Sequence, residues 1–136
     1  MNNIFLIDDD EDDHVFFKTA LRTIYPTLHC EIATNGKTAL EELRTIHILP
    51  HIIFLDLNMP VMNGMDFLVQ IKKDDKLKEI PVGIFSTSNL MHDKELAKEL
   101  GARFFITKPN DLQVLRRKLQ QILHADFSTE EYITIT

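Results

Sequence analysis

Two short apolar runs, Ile4-Phe5-Leu6-Ile7 and Ile52-Ile53-Phe54-Leu55, end abruptly on carboxylates: Asp8 and Asp9 after the first, Asp56 after the second. An unbroken apolar run of this length, bounded by breakers, reads as a strand buried on both faces, and such strands belong to a parallel sheet flanked by helices. In open α/β sheets the carboxyl ends of the strands form the crevice where ligands bind, so a carboxylate placed there is placed for chemistry. Taken alone, Asp56 also reads as a turn cap, because Asp often ends strands and the segment continues Leu57-Asn58-Met59-Pro60. The rest of the chain decides between the two.

The acids after the first run number six, Asp8-Asp9-Asp10-Glu11-Asp12-Asp13. Adjacent carboxylates repel, so a compact fold tolerates them only when some are solvated, some face a helix N-terminus, or a cation sits among them. A helix is predicted from His14 to about Tyr25, stopped by Pro26, then a strand over 28–33 and, after the Asn35-Gly36 turn, a helix over 37–46. Pro50 opens the Asp56 strand, and Gly64 precedes a third helix, 65–73, and a charged loop from Asp74 to Glu79. A strand follows over 80–85, with Pro81 where a missing N–H is tolerated, then a helix over 89–100 closed by Gly101. Residues 103–107 form the last strand, leading into Lys108-Pro109, and 111–124 the last helix. Strands alternating with helices in this way predict an α/β fold, a doubly wound (βα)5 sheet of five parallel strands with helices on both faces. Residues 1–125 are expected to form one domain. For the polar, Thr-rich tail 126–136, with Phe127, Tyr132, Ile133 and Ile135, three readings stay open: a disordered tail, an extra edge strand or a docking segment.

The chain has 136 residues, 44% of them hydrophobic, enough for a core beneath both helical layers. A formal charge of −6 and a pI near 5.4 argue against binding nucleic acid or an anionic membrane. The densest basic run, Arg116-Arg117-Lys118, reads as the solvated face of the last helix. Cys30 has no second cysteine to pair with and reads as a small core residue, which makes a reducing cytoplasm the expected compartment. Met1-Asn2-Asn3 carries no basic leader, and no stretch approaches the roughly 18 apolar residues of a membrane span.

Asp8 and Asp9, Asp56, Ser86 and Lys108 stand at four different strand ends and should converge on one edge of the sheet. Three crowded carboxylates favour a hard divalent cation, with Mg²⁺ the usual choice when few protein oxygens are completed by water. A lysine opposite can hold an anion, and a hydroxyl can hydrogen-bond a phosphoryl oxygen. The combination points to phosphoryl transfer onto Asp56, its carboxylate attacking phosphorus while Mg²⁺ and Lys108 offset the developing charge.

Over residues 3–124 the sequence resembles the receiver domain of two-component response regulators, which have the chemotaxis-regulator-like, flavodoxin-like fold. The resemblance rests on Leu6-Ile7-Asp8-Asp9, Leu55-Asp56-Leu57-Asn58-Met59-Pro60 with Gly64, the Ser86 hydroxyl, and Phe105-Ile106-Thr107-Lys108-Pro109. It implies a phosphoacceptor that signals through a changed surface rather than an enzyme that releases a product. A histidine kinase or histidine phosphotransfer protein would supply the phosphate, and a downstream protein target would read the result. Asp9 and Asp56 would ligate Mg²⁺ directly, Asp8 through water, and Asn58 through its backbone carbonyl. Ser86 and Phe105 would form the switch pair that remodels the surface of the fourth helix, fifth strand and fifth helix. A homodimer through the last helix and strand, or through the tail, is compatible with this scheme. The acidic run and the 74–79 loop also resemble single-domain regulators that serve phytochrome-type kinases. Three features depart from the family pattern: the acids extend to six, Phe105 stands where tyrosine is commonest, and Thr87 stands where Ala or Gly is usual. The bulkier Thr87 is expected to narrow the approach of water and slow dephosphorylation.

The rival readings fit less well. A haloacid-dehalogenase-like phosphatase places a second acid two residues after its nucleophile, where this chain has Asn58. An EF-hand starting at Asp8 would need Gly at its sixth position and Glu at its twelfth, which here are Asp13 and Thr19. A pseudo-receiver that binds partners but never takes phosphate would not need all five key positions filled. The histidines, His14, His29, His47, His51, His92 and His124, lack ligand spacing, and Ser86-Thr87-Ser88 lacks the Gly-flanked turn of a hydrolase nucleophile.

Overall fold

The computed structural model describes residues 3–136, so the reading of Met1 and Asn2 lies outside the described residues. Ten elements alternate: β1 (Asn3–Ile7), α1 (Glu11–Ile24), β2 (His29–Ala33), α2 (Gly36–Thr45), β3 (Ile53–Leu55), α3 (Gly64–Lys72), β4 (Val82–Ser86), α4 (Met91–Glu99), β5 (Phe105–Thr107) and α5 (Leu112–Leu123). The strands form one parallel sheet in the order β2-β1-β3-β4-β5, the doubly wound arrangement expected. Because the order reverses direction between β1 and β3, a crevice opens between their carboxyl ends, where Asp8 and Asp56 stand.

Alternation along each strand divides the core into two layers. Ile4 and Leu6 of β1, Phe54 of β3 and Phe85 of β4 face Phe17, Ala20 and Leu21 of α1 and Leu115, Leu119 and Ile122 of α5. Phe5, Ile7, Ile53, Leu55, Val82 and Ile84 face Ala39, Leu40 and Leu43 of α2, Phe67, Leu68 and Ile71 of α3, and Ala97 of α4. Each fully buried large side chain contributes roughly 1.5–3 kcal/mol relative to exposure. Phe54 stacks edge-on against Phe17 and Phe104 with centroids 5.0 and 5.4 Å apart. The Phe104 ring passes over Gly83, where an added Cβ would fall 2.0 Å from its nearest ring carbon.

Local chemistry moves several boundaries. Helix α1 begins at Glu11 rather than His14, because the Asp10 carboxylate accepts the Asp12 and Asp13 N–H groups at 2.9 and 3.1 Å, and acids suit a helix N-terminus. Most of the acidic run is thus cap and first turn. Strand β4 starts at Val82, since the Ile80 N–H turns back to the Leu77 carbonyl. Helix α4 starts at Met91, the Asn89 side chain accepting from Lys94 Nζ. Asn35 and Asn63 cap α2 and α3 through their side-chain oxygens, and Gly101, with φ 104°, takes the left-handed position after α4.

The 74–79 loop ties down the end of α2. Asp74 pairs with Arg44 at 3.2 Å, and Lys76 Nζ donates to the Arg44 and Ile46 carbonyls. Residues 126–136 are not a strand; they lie against the body beside β5 and α5. The Ile133 N–H donates to the Arg103 carbonyl at 2.8 Å, the Arg103 guanidinium donates to the Thr129 and Glu131 carbonyls, and Arg117 donates to the Thr136 carbonyl. Phe127, Ile133 and Ile135 are partly buried on the α1–α5 layer. Among the described residues no helix is long and apolar enough to cross a membrane.

Candidate functional site

The buried polar or charged residues, among those described, are Asp8, Asp56 and Ser86, and all three stand at carboxyl ends of neighbouring strands. The parallel pairing of β3 with β1 and β4 brings them together, and the Asp56 N–H donates to the Ile7 carbonyl at 2.9 Å. Asp56 is 6% exposed, which leaves its carboxylate within reach from the crevice. The Ser86 hydroxyl and the Asn58 backbone N–H, both near its carboxylate, act to lower its pKa. Gly64 packs flat against this turn: its N–H donates to the Leu57 carbonyl at 2.9 Å, and a Cβ there would fall 2.3 Å from the Asp56 carbonyl oxygen.

Lys108 enters from the end of β5, its backbone N–H bonded to the Ser86 carbonyl at 2.7 Å. Its side chain is 8% exposed, and Nζ lies 2.7 Å from Asp8 Oδ2, 2.6 Å from Asp13 Oδ2 and 3.6 Å from Asp56 Oδ2. The contact with Asp13 is a hydrogen bond. The contact with Asp8 is a close ion pair that covers the buried Asp8 Oδ2.

These contacts set the acidities. Burial raises the Asp56 carboxyl above its ordinary value against the pull of Lys108, with the Asp8 charge adding to the rise. Burial likewise raises Asp8, opposed by Lys108 and by the Asp10 N–H, which donates to Asp8 Oδ1 at 2.9 Å. For Lys108 burial acts to lower the ammonium, but Asp13, Asp8 and Asp56 together outweigh it and raise it above an ordinary lysine.

Asp8, Asp9 and Asp56 each offer a carboxylate oxygen, and the three oxygens lie within 4.8 Å of one another. An all-oxygen donor set of this size suits a hard divalent cation. Asp9 is the exposed member of the three.

The structure therefore brings Asp8, Asp9, Asp56, Ser86 and Lys108 together, with Asn58 following Asp56. Phe105 stands apart as a half-buried ring on the α2–α3–α4 layer, with Lys94 Nζ 5.9 Å from its centroid. Thr87 is exposed beside Ser86. Reading the sequence missed Asp13, which was grouped with the capping acids although it closes on Lys108. Nothing in the spacing marks it, since Asp9 lies before the Asp10 cap and outside the helix that carries Asp13. Val61, in the loop after Asp56, takes φ 68° at the centre of a tight turn closed by the Met62 N–H on the Pro60 carbonyl at 2.7 Å. Such a backbone costs a β-branched residue of order 1–3 kcal/mol.

The sheet is a doubly wound parallel one with a carboxylate cluster and a lysine at its switch point. The chain belongs to the response regulator receiver domain family, whose model matches residues 4–120. It is similar to the phosphorylated cyanobacterial phytochrome response regulator RcpA, at 31% identity and a TM-score of 0.78, covering 85% of this chain and 89% of that one. It is similar also to the Mn²⁺-bound form of response regulator Rcp1, at 28% identity and a TM-score of 0.80, covering 100% of this chain and 99% of that one. Histidine kinase P4 of Formosa agariphila is 32% identical over 139 residues, a match to 98% of this chain. The chain spans 10% of that relative's length.

Proposed function

We propose that this receiver accepts a phosphoryl group on Asp56 from a phosphohistidine of a histidine kinase or phosphotransfer protein, in a reaction that depends on Mg²⁺. The observation that carries the reading is Asp56 itself: a nearly buried carboxylate at a strand end, 3.6 Å from a lysine ammonium and clustered with two further carboxylates. The Asp56 oxygen attacks phosphorus, an O–P bond forms as the N–P bond breaks, and the imidazole nitrogen leaves with the electron pair. Asp8, Asp9, Asp56 and the Asn58 carbonyl would hold the cation, which when bound neutralises charge on the phosphoryl oxygens. Lys108 supplies a fixed positive charge for those oxygens, and the Ser86 hydroxyl, buried at the end of the neighbouring strand, becomes a donor to one of them.

Ser86 and Phe105 form the switch. Ser86 follows the phosphoryl group, and Phe105, half-buried on the adjacent strand, fills the space so opened, changing the surface of α4, β5 and α5. A downstream protein target reads that surface. The likeness to RcpA, a phytochrome response regulator, supports the further assignment of a phytochrome-type kinase as donor. The domain spans residues 1–125, and residues 126–136 form a tail laid on it.

The test is transfer from a histidine-phosphorylated phosphotransfer domain carrying a labelled phosphoryl group. Label should move to this chain with Mg²⁺ present and not with EDTA, and Asp56→Asn should receive none. Transfer that survives Asp56→Asn contradicts the assignment.

A further inference from the structure

The acid that meets Lys108 most closely is not at a strand end. Asp13 Oδ2 lies 2.6 Å from Nζ, whereas Asp56 Oδ2 lies 3.6 Å away, beyond hydrogen-bonding range. Asp13 is also held in place. The Asp10 side chain fixes the first turn of α1 through the Asp12 and Asp13 N–H groups, and His14 Nε2 hydrogen-bonds the Asp8 carbonyl at 2.5 Å, tying the next residue of the helix to the end of β1. The ammonium is thus shared between Asp8 Oδ2 of the strand-end cluster, at 2.7 Å, and a carboxylate of α1 that does not belong to that cluster.

Resting on the phosphoacceptor reading above, we propose that Asp13 is a positioning residue that competes with the phosphoryl group for Lys108. In the unphosphorylated protein Asp13, together with Asp8, retains the lysine. A phosphoryl group on Asp56 must draw the ammonium from it, and must also accept a neighbouring negative charge that the lysine no longer covers. Both effects oppose phosphorylation, so Asp13 sets how tightly the site holds a phosphoryl group. Charge-assisted hydrogen bonds are among the stronger polar contacts, but Asp13 is 32% exposed, so solvent weakens this one.

The test uses beryllofluoride, a tetrahedral phosphoryl mimic, titrated into the full chain at saturating Mg²⁺ and followed by ¹⁹F NMR. Asp13→Asn should bind it roughly three- to tenfold more tightly than wild type. Asp12→Asn removes an equal charge from the same helix turn at an exposed position and should leave affinity unchanged, while Asp13→Glu should stay nearer to wild type than to Asp13→Asn. A second readout needs no phosphoryl mimic: the Lys108 ammonium protons should exchange slowly in wild type and faster in Asp13→Asn. Equal or weaker binding by Asp13→Asn, an equal tightening in Asp12→Asn, or unchanged ammonium exchange overturns the role of Asp13. Failure of wild type to bind beryllofluoride at all is a separate result, which overturns the phosphoacceptor reading and this inference with it.

Discussion

Replacing Gly64 with alanine should damage the site through the backbone alone. The new Cβ would fall 2.3 Å from the Asp56 carbonyl oxygen, 2.8 Å from Leu57 Cα and 3.1 Å from the Asp56 carbonyl carbon. All three are main-chain atoms, so no side chain can swing aside. Carbon and oxygen pack no closer than about 3.3 Å, so the turn after β3 or the start of α3 must shift by about 1 Å. The Asp56 N–H is bonded to Ile7 and the Gly64 N–H to Leu57, so the shift strains both. Overpacking of this kind costs about 1–3 kcal/mol of stability. A reacting group displaced by about 1 Å loses on the order of a hundredfold in rate. Urea unfolding and the rate of phosphorylation by acetyl phosphate measure the two effects. Gly36→Ala is the comparison: its nearest neighbours are the Met62 side chain at 3.0 and 3.1 Å and the Met62 carbonyl at 3.1 Å, away from Asp56, and its phosphorylation rate should stay near wild type. Gly64→Ala with wild-type stability and rate would refute the reasoning.

The remaining predictions concern charge and access. Because burial raises the Asp56 and Asp8 carboxyls above 3.8, the unfolded chain ionises them first as pH rises. Their ionisation then costs the folded state stability as pH climbs from there through the raised values. Without divalent cation, Asp56→Asn should therefore melt above wild type at pH 7, with the difference closing as pH falls through that window; a variant that melts below wild type at pH 7 contradicts the assignment. Mg²⁺ should raise the wild-type melting temperature and EDTA should reverse the rise, and Asp9→Asn should lose most of it; an undiminished rise in Asp9→Asn removes that residue from the donor set. Thr87→Ala should shorten the half-life of the phosphorylated protein by opening the approach of water past an exposed methyl and hydroxyl, and an unchanged or longer half-life disposes of that role.

What could be read from residues alone was whatever a strand end fixes. Asp8, Asp56, Ser86 and Lys108 follow four buried runs, and once those runs pair in parallel their ends must meet. Side chains placed by packing against a helix were less legible. Asp13 looked like one more capping acid because a charged run gives no sign of which member turns inward; the first turn of α1 decides it. The start of that helix at Glu11 was hidden for the same reason, since six acids carry no apolar period. The tail stayed open because its attachment depends on Arg103, whose side chain bonds to carbonyls that any sequence would provide.

The most direct measurement is the intact mass of the protein after incubation with acetyl phosphate, with Mg²⁺ and with EDTA, in wild type and in Asp56→Asn. The account predicts a gain of one phosphoryl group in wild type with Mg²⁺ only, and none in Asp56→Asn. A folded wild-type protein that gains nothing, or an Asp56→Asn variant that gains the same mass, would contradict it.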